Sequence, residues 1–164
     1  MILSIHAITG AVLGSYGTSP VQASVQGLIS HYLIDFLPHF DYKINDIAKG
    51  DWESAYLEFL KILADLMIAG AVIAFIIYKN PENILSILLG SFFALFPDGL
   101  LFIHFILSKK SPELLIRRFL AGHYEFHYKI HSNVRSVTAT SIIVQLLLIA
   151  LLAMMIFKSY LFLS

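Results

Sequence analysis

Residues 137–157 have the sequence VTATSIIVQLLLIALLAMMIF, which contains no charged side chain. A helix needs roughly 20 apolar residues to cross a bilayer, because lipid offers no partner to an unpaired backbone polar group. Residues 59–78, FLKILADLMIAGAVIAFIIY, meet the same requirement, with Lys61 and Asp65 as their only charges. These two stretches predict two membrane-spanning helices.

A third apolar stretch, residues 84–107, is also long enough to span, but it contains Pro97 and Asp98 in its second half. Proline removes a backbone donor and tends to break a helix. We therefore expect the spanning part to end near Phe96 and residues 100–107 to run along the membrane surface.

Two shorter apolar stretches, residues 2–16 and 21–37, occupy the beginning of the chain and are separated by a Gly-Thr-Ser-Pro turn at 17–20. They predict two short helices, which either cross the membrane or form a re-entrant hairpin. The expected total is about five helices.

The composition supports an integral membrane protein. Of 164 residues, 58% are hydrophobic and 13% are charged, whereas soluble domains average about 25% charged residues. We expect residues 1–164 to form one membrane-embedded, all-α domain whose immediate partner is the lipid bilayer. The 11 basic and 11 acidic residues balance, so no nucleic-acid-binding surface is expected. Because cysteine is absent, any metal must be bound by imidazole and carboxylate groups.

The distribution of Lys and Arg predicts the orientation. Residues 108–136 carry six of the eleven basic residues, and basic loops favour the cytoplasmic side. With five alternating helices, nine basic residues lie on that side and two on the other. This pattern predicts a protein of the inner (cell) membrane with a cytoplasmic N-terminus.

Under this topology the histidines and several aspartates lie near the cytoplasmic surface. On three helices, a histidine or an aspartate lies at the end of a row of small residues that are four positions apart. Small residues let membrane helices approach closely. The rows are His6, Gly10 and Gly14; Ala23, Gly27, His31 and Asp35; and Ser86, Gly90, Ala94 and Asp98. We expect the polar ends to face one another and bind metal; ordinary helix packing with polar ends is the alternative.

His31 and Asp35, four residues apart, can hold one ion from a single helical turn. The alternative is that Asp35 orients the His31 imidazole without binding the ion. Pro38 should end this helix, which places His39 and Asp41 on an irregular segment beyond it. Those two residues are predicted to act as a catalytic base or to orient a ligand, and a solvated acidic turn is the alternative.

His123, His127 and His131 form a second series spaced by four residues. An amphipathic helix on the membrane surface would turn this face toward the bundle. His127 and His131 are then predicted metal ligands, and His123 is a ligand or a proton donor to the leaving group. The alternative is an interfacial helix whose histidines face water.

Two other polar groups have structural interpretations. Lys61 lies one helical turn from Asp65, so the two are predicted to form an ion pair within their helix. His104 has no partner row and is interpreted as a boundary histidine that serves packing.

The segment Gly27-Leu-Ile-Ser30-His31-Tyr-Leu-Ile-Asp35 resembles the Gly-x-x-Ser-His-x-x-x-Asp helix of the membrane-bound metal-dependent hydrolases, the YdjM-like inner-membrane hydrolases. His6 with its glycines and the segment from His127 to Ser132 resemble further motifs of that family. A third motif of the family resembles Phe96-Pro97-Asp98 or, alternatively, Leu37-Pro38-His39-Phe40-Asp41. The resemblance implies a metal-dependent hydrolase. The His-x-x-x-Asp and His-x-x-x-His elements are also similar, in ligand type alone, to those of zinc-dependent phospholipases C.

The sequence therefore predicts a hydrolase at the cytoplasmic membrane surface that acts on a phosphoester or lipid head group. Its cofactor is expected to be a divalent metal, zinc in particular, and the composition sets no oligomeric state. The predicted ligands are His6, His31, Asp35, Asp98, His127 and His131. Two alternatives stay open: a non-enzymatic membrane protein that handles divalent cations or protons, and a structural protein with a metal staple.

Overall fold

The structure is a computed structural model, and it describes residues 2–17, 19–39, 41, 44–107, 115–131 and 138–161. Within these ranges every regular element is helical. The α-helices are α1 (Leu3–Ser15), α2 (Pro20–Asp35), α3 (Asn45–Lys49), α4 (Tyr56–Lys79), α5 (Ile84–Leu107), α6 (Leu115–His131) and α7 (Ala139–Leu161), and a 3-10 turn at Pro81–Asn83 precedes α5. The predicted all-α fold is confirmed. Within the described residues the short helix α3 was not predicted from the sequence.

Three segments are long and apolar enough to cross a membrane: Tyr56–Lys79, Pro81–Leu107 and Ala139–Lys158. Their outward faces carry many exposed large apolar side chains, among them Met67 of α4 and Leu147 of α7. Such surfaces are stable in contact with lipid and would be unfavourable in water. The chain is therefore a helical membrane bundle.

Helices α1 and α2 form a hairpin too short to cross the bilayer. They contain 13 and 16 residues, which correspond to lengths of about 20 and 24 Å, against about 30 Å for the hydrocarbon core. The turn between them is fixed by a capping box, in which the Ser19 side chain accepts from the Gln22 N–H and the Gln22 side chain accepts from the Ser19 N–H. The hairpin form of the two sequence-based alternatives fits these dimensions.

The predicted rows of small residues are the surfaces through which α1, α2 and α5 meet. A Cβ added to Gly10 or to Gly27 would clash with the carbonyl oxygen of Gly90, and one added to Gly14 would clash with that of Ser86. These pairings make α1 antiparallel to α5 and α2 parallel to it. The polar ends of the three rows consequently lie at the same level of the bundle.

The predicted break at Pro97 is wrong. Helix α5 continues from Ile84 to Leu107 with Pro97 buried inside it. Helices α1, α2 and α6 pack around α5, and such packing keeps a proline turn helical in membrane proteins because neighbouring groups satisfy the backbone. Asp98 therefore stays in the row of Gly90 and Ala94 and is held inside the bundle.

Two carboxylates of α4 fix neighbouring segments at this end of the bundle. The Ser4 N–H at the start of α1 donates to Asp65 Oδ2 at 3.0 Å. Glu58 accepts from the backbone N–H of Asp46 and of Ile47 at the start of α3. Carboxylates are stabilised at helix N-termini by the unpaired N–H groups there. The predicted ion pair of Asp65 is therefore replaced, within the described residues, by this contact with α1.

Candidate metal centre

Five of the six predicted ligands converge from four helices. His6 comes from the first turns of α1, His31 and Asp35 from the end of α2, Asp98 from α5 and His127 from α6. All are buried except Asp98, whose side chain is 22% exposed. Segments far apart in the sequence thus bring imidazole and carboxylate groups into one cluster, as predicted. We call these five residues the His/Asp cluster.

Three ligand atoms of the cluster form a compact triangle. His31 Nε2 lies 3.0 Å from His127 Nε2 and 3.3 Å from Asp35 Oδ2, and His127 Nε2 lies 3.2 Å from Asp35 Oδ2. Zinc bonds of 2.0–2.1 Å in tetrahedral geometry separate neighbouring ligand atoms by about 3.3 Å. The three atoms therefore already have the spacing of one face of a coordination tetrahedron.

A hydrogen bond to the backbone orients His31 for this role. Its Nδ1 lies 2.8 Å from the carbonyl oxygen of Ala94. Because a carbonyl can only accept, Nδ1 carries the proton and the lone pair is on Nε2, which faces the triangle. Metal-binding histidines usually donate their other ring N–H to a carbonyl or carboxylate in this way. The row of small residues on α5 therefore also supplies the group that orients the ligand.

A second set of three ligand groups, His6, His31 and Asp98, overlaps the triangle. His6 Nε2 lies 3.2 Å from Asp35 Oδ1, the carboxylate oxygen outside the triangle. Asp98 Oδ1 lies 3.6 Å from His127 Nε2. The two nitrogens of His6 are buried and have no hydrogen-bond partner among the described residues. The site thus offers a ligand triangle, a neighbouring carboxylate and a buried imidazole, His6, that contacts Asp35.

The charges of the cluster favour a cation. Asp35 is 1% exposed and is surrounded by the Nε2 atoms of His6, His31 and His127 at 3.2–3.3 Å. Two carboxylates, Asp35 and Asp98, lie 3.2 and 3.6 Å from the same nitrogen, His127 Nε2. A buried carboxylate is costly unless it is paired. A divalent cation would neutralise both.

The other predicted site residues lie around the cluster or outside the described part. His123 lies one turn before His127, and its Nε2 donates to the Pro97 carbonyl oxygen at 3.0 Å. His39 is buried and its Nδ1 donates to the Leu37 carbonyl oxygen at 2.7 Å. Asp41 is exposed and borders the same cavity as Asp98. The side chain of His131 lies outside the described residues, so its predicted role as a ligand stays a prediction.

Aromatic contacts attach α6 to the bundle beside the cluster. Tyr32, which the sequence analysis did not single out, packs edge-on against the rings of His31 and Phe126, with centroids 5.2 and 5.5 Å away. His104 stacks on Tyr124 with centroids 5.1 Å apart, in agreement with its interpretation as a packing residue. In the sequence, Tyr32 follows His31 directly and Phe126 directly precedes His127. These two neighbouring aromatic residues are the sequence feature from which the Tyr32–Phe126 contact could have been predicted.

Comparison with known proteins gives no match. No family model, no curated protein and no solved structure matches the chain. The buried His and Asp groups show that the protein has residues placed to hold a metal ion. The function must be inferred from the chemistry of the cluster.

Proposed function

We propose that the protein is a metal-dependent hydrolase that cleaves a phosphoester in a lipid head group. The observation that carries this proposal is the triangle of His31 Nε2, His127 Nε2 and Asp35 Oδ2, with edges of 3.0–3.3 Å, beside Asp98. Two histidines and a carboxylate are a typical ligand set of hydrolytic zinc sites. We therefore expect zinc at this triangle.

The surroundings of the triangle favour a catalytic ion over a structural one. Catalytic zinc sites use three protein ligands and keep a fourth position for water or substrate, whereas structural sites are closed by four protein ligands. Beside the triangle lies Asp98, whose Oδ1 is 3.6 Å from His127 Nε2; its side chain is 22% exposed and lines a cavity. Substrate can therefore approach the triangle from the cavity side.

Hydrolysis requires a nucleophile, a base and an acid. The ion would lower the pKa of a water molecule and polarise the phosphoryl oxygen. Asp98, 3.6 Å from His127 Nε2, is placed to accept the proton of the attacking water. The water oxygen would form a bond to phosphorus and the ester P–O bond would break. The leaving oxygen would take a proton, for which Nδ1–H of His123 is the candidate donor, because its Nε2–H is bound to the Pro97 carbonyl oxygen.

Two features of the sequence support a metal-dependent hydrolase that works at the inner membrane. The Ser30-His31 to Asp35 segment resembles the YdjM-like membrane-bound hydrolases, which are metal-dependent. The excess of basic residues at this end of the bundle supports a cytoplasmic location at the inner membrane. We therefore expect the substrate to be a lipid of the inner leaflet.

The proposal is tested by metal content and hydrolysis together. Protein purified in detergent and equilibrated with Zn²⁺ should retain stoichiometric zinc by elemental analysis and hydrolyse bis-p-nitrophenyl phosphate. Asp98→Asn should retain zinc and lose hydrolysis, and Met67→Ala, on the outward face of α4, should keep both. Absence of stoichiometric divalent metal would contradict the proposal. Bound metal without hydrolysis of phosphodiester or lipid would instead favour a metal staple between α2 and α6.

A further inference from the structure

A cavity of about 400 Å³ adjoins the His/Asp cluster. Its walls are the start of α1, the segment around α3, one face of α4 and one face of α5. Among its described lining residues, Asp41 and Asp98 are the only ones with polar side chains. The cavity is therefore a half-open apolar groove that also contains two carboxylates.

The two long walls belong to membrane-spanning helices. Phe59, Ile62 and Leu66 line the cavity from one face of α4, and Leu95 and Phe102 line it from α5. Both helices span the bilayer, so lipid chains surround this part of the protein at high concentration. Because its walls are apolar, this groove is filled more favourably by a hydrocarbon chain than by water.

We infer that this cavity holds one acyl chain of the lipid whose head group reaches the metal centre. The inference rests on the proposed hydrolase function, and it specifies a lipid substrate over a water-soluble phosphoester. The volume lies within the range of about 300–1,000 Å³ found for small-molecule sites. Asp98 connects the two parts, because it borders the cavity and also lies 3.6 Å from His127 Nε2. A lipid whose acyl chain occupies the cavity would thus have the phosphoester of its head group beside the ion.

Gly99 provides a way to fill the cavity without disturbing the backbone. It is helical, lines the cavity next to Asp98, and a Cβ added there would meet no atom within 4 Å. Gly99→Leu should therefore place its side chain in the space of the acyl chain. Gly70→Leu is the matched control, since Gly70 is also helical with open space around it and does not line the cavity.

The test is photolabelling in phosphatidylcholine vesicles that contain a phosphatidylcholine with a diazirine on one acyl chain. Mass spectrometry should locate label at Ile62 and Leu95 of the cavity, with outward-facing Leu147 of α7 as the reference for general lipid contact. Gly99→Leu should lower cavity labelling several-fold and leave labelling at Leu147 unchanged. Gly70→Leu should change neither, and Ile62→Phe on the opposite wall should lower labelling at Leu95.

Two results would overturn the inference. The first is cavity labelling in the wild type that is no higher than labelling at Leu147. The second is cavity labelling that is the same in the wild type, in Gly99→Leu and in Ile62→Phe. Zinc content is measured on the same samples, and labelling is repeated after chelation. If the proposed metal function is wrong but the acyl-chain inference is right, the protein will contain no zinc and the cavity will still be labelled. Loss of the acyl-chain inference would appear as bound zinc without specific labelling.

Discussion

The His/Asp cluster is held by two regions that differ in how they are packed. In the first, α1, α2 and α5 touch backbone to backbone at Gly10, Gly27 and Gly90. In the second, α6 contacts the bundle through side-chain rings, such as Tyr124 on His104. Close backbone contact fixes helices more firmly than contacts between side chains that can change rotamer. Four of the five cluster residues are therefore placed by the fold itself, whereas His127 depends on how α6 docks.

The largest expected effect comes from breaking the backbone contact. Gly10→Val places a Cβ against the carbonyl oxygen of Gly90, so α1 and α5 must separate. We expect destabilisation of more than about 3 kcal/mol, beyond ordinary overpacking, measured by thermal unfolding in detergent. Gly70→Val, where nothing lies within 4 Å, should be far milder. Equal stability of the two variants would contradict the tight packing described here.

Removing a ligand from the rigid region should abolish metal binding and leave the fold intact. Asp35→Asn keeps the shape of the side chain but removes the charge that faces three histidines. Zinc affinity should fall by about 100-fold or more, since even groups behind the ligands commonly contribute 10–100-fold. Isothermal titration calorimetry gives the affinity, with Met67→Ala on the outward face of α4 as the unaffected control. An unchanged affinity in Asp35→Asn would exclude the triangle as the metal site.

The second region should respond to metal more than the first. Zinc bound by His127 would tie α6 to α2, so addition of zinc should slow amide hydrogen exchange in α6 several-fold and change exchange in α5 little. His127→Ala should remove this response while exchange in α5 stays slow. If α6 is equally protected with and without zinc, then its docking is as rigid as the packing of α1, α2 and α5, and the proposed difference is lost.

The smallest expected effect concerns one hydrogen bond within the tightly packed region. Ser91 Oγ donates to the Ala7 carbonyl oxygen at 2.9 Å across the α1–α5 contact. Ser91→Ala should lower stability by about 1 kcal/mol without altering zinc affinity. The unfolding free energy and the zinc titration are measured on the same protein. A change in affinity would show that the rigid region transmits strain to the cluster.

Much of this organisation is visible in the sequence because membrane helices have strong local signals. Apolar length sets the spanning helices, and small residues every four positions mark the faces that can approach closely. The row of Gly27, His31 and Asp35 thereby predicts which face of α2 carries its part of the His/Asp cluster. Its partner row with Gly90 and Asp98 predicted where that face would meet α5.

Features that depend on packing between segments were not predictable. The sequence predicts a break at Pro97, but the helices around α5 keep that turn helical. Lys61 is the nearest cation to Asp65 in the sequence. The Asp65 carboxylate instead accepts a hydrogen bond from the backbone N–H of Ser4, 61 residues away. The cavity beside Asp98 arises from four separate segments. No local pattern encodes such a space.

The short α1–α2 hairpin has a consequence for the surrounding membrane. At about 20–24 Å, its helices leave several ångströms of a standard bilayer core unmatched. Lipid beside them must become thinner or let water and head groups sink toward the protein, at a modest cost per ångström of mismatch. The indentation would form where His6 and Asp35 end the hairpin. The protein would accordingly prefer thin membranes and draw polar lipid groups down to the ion.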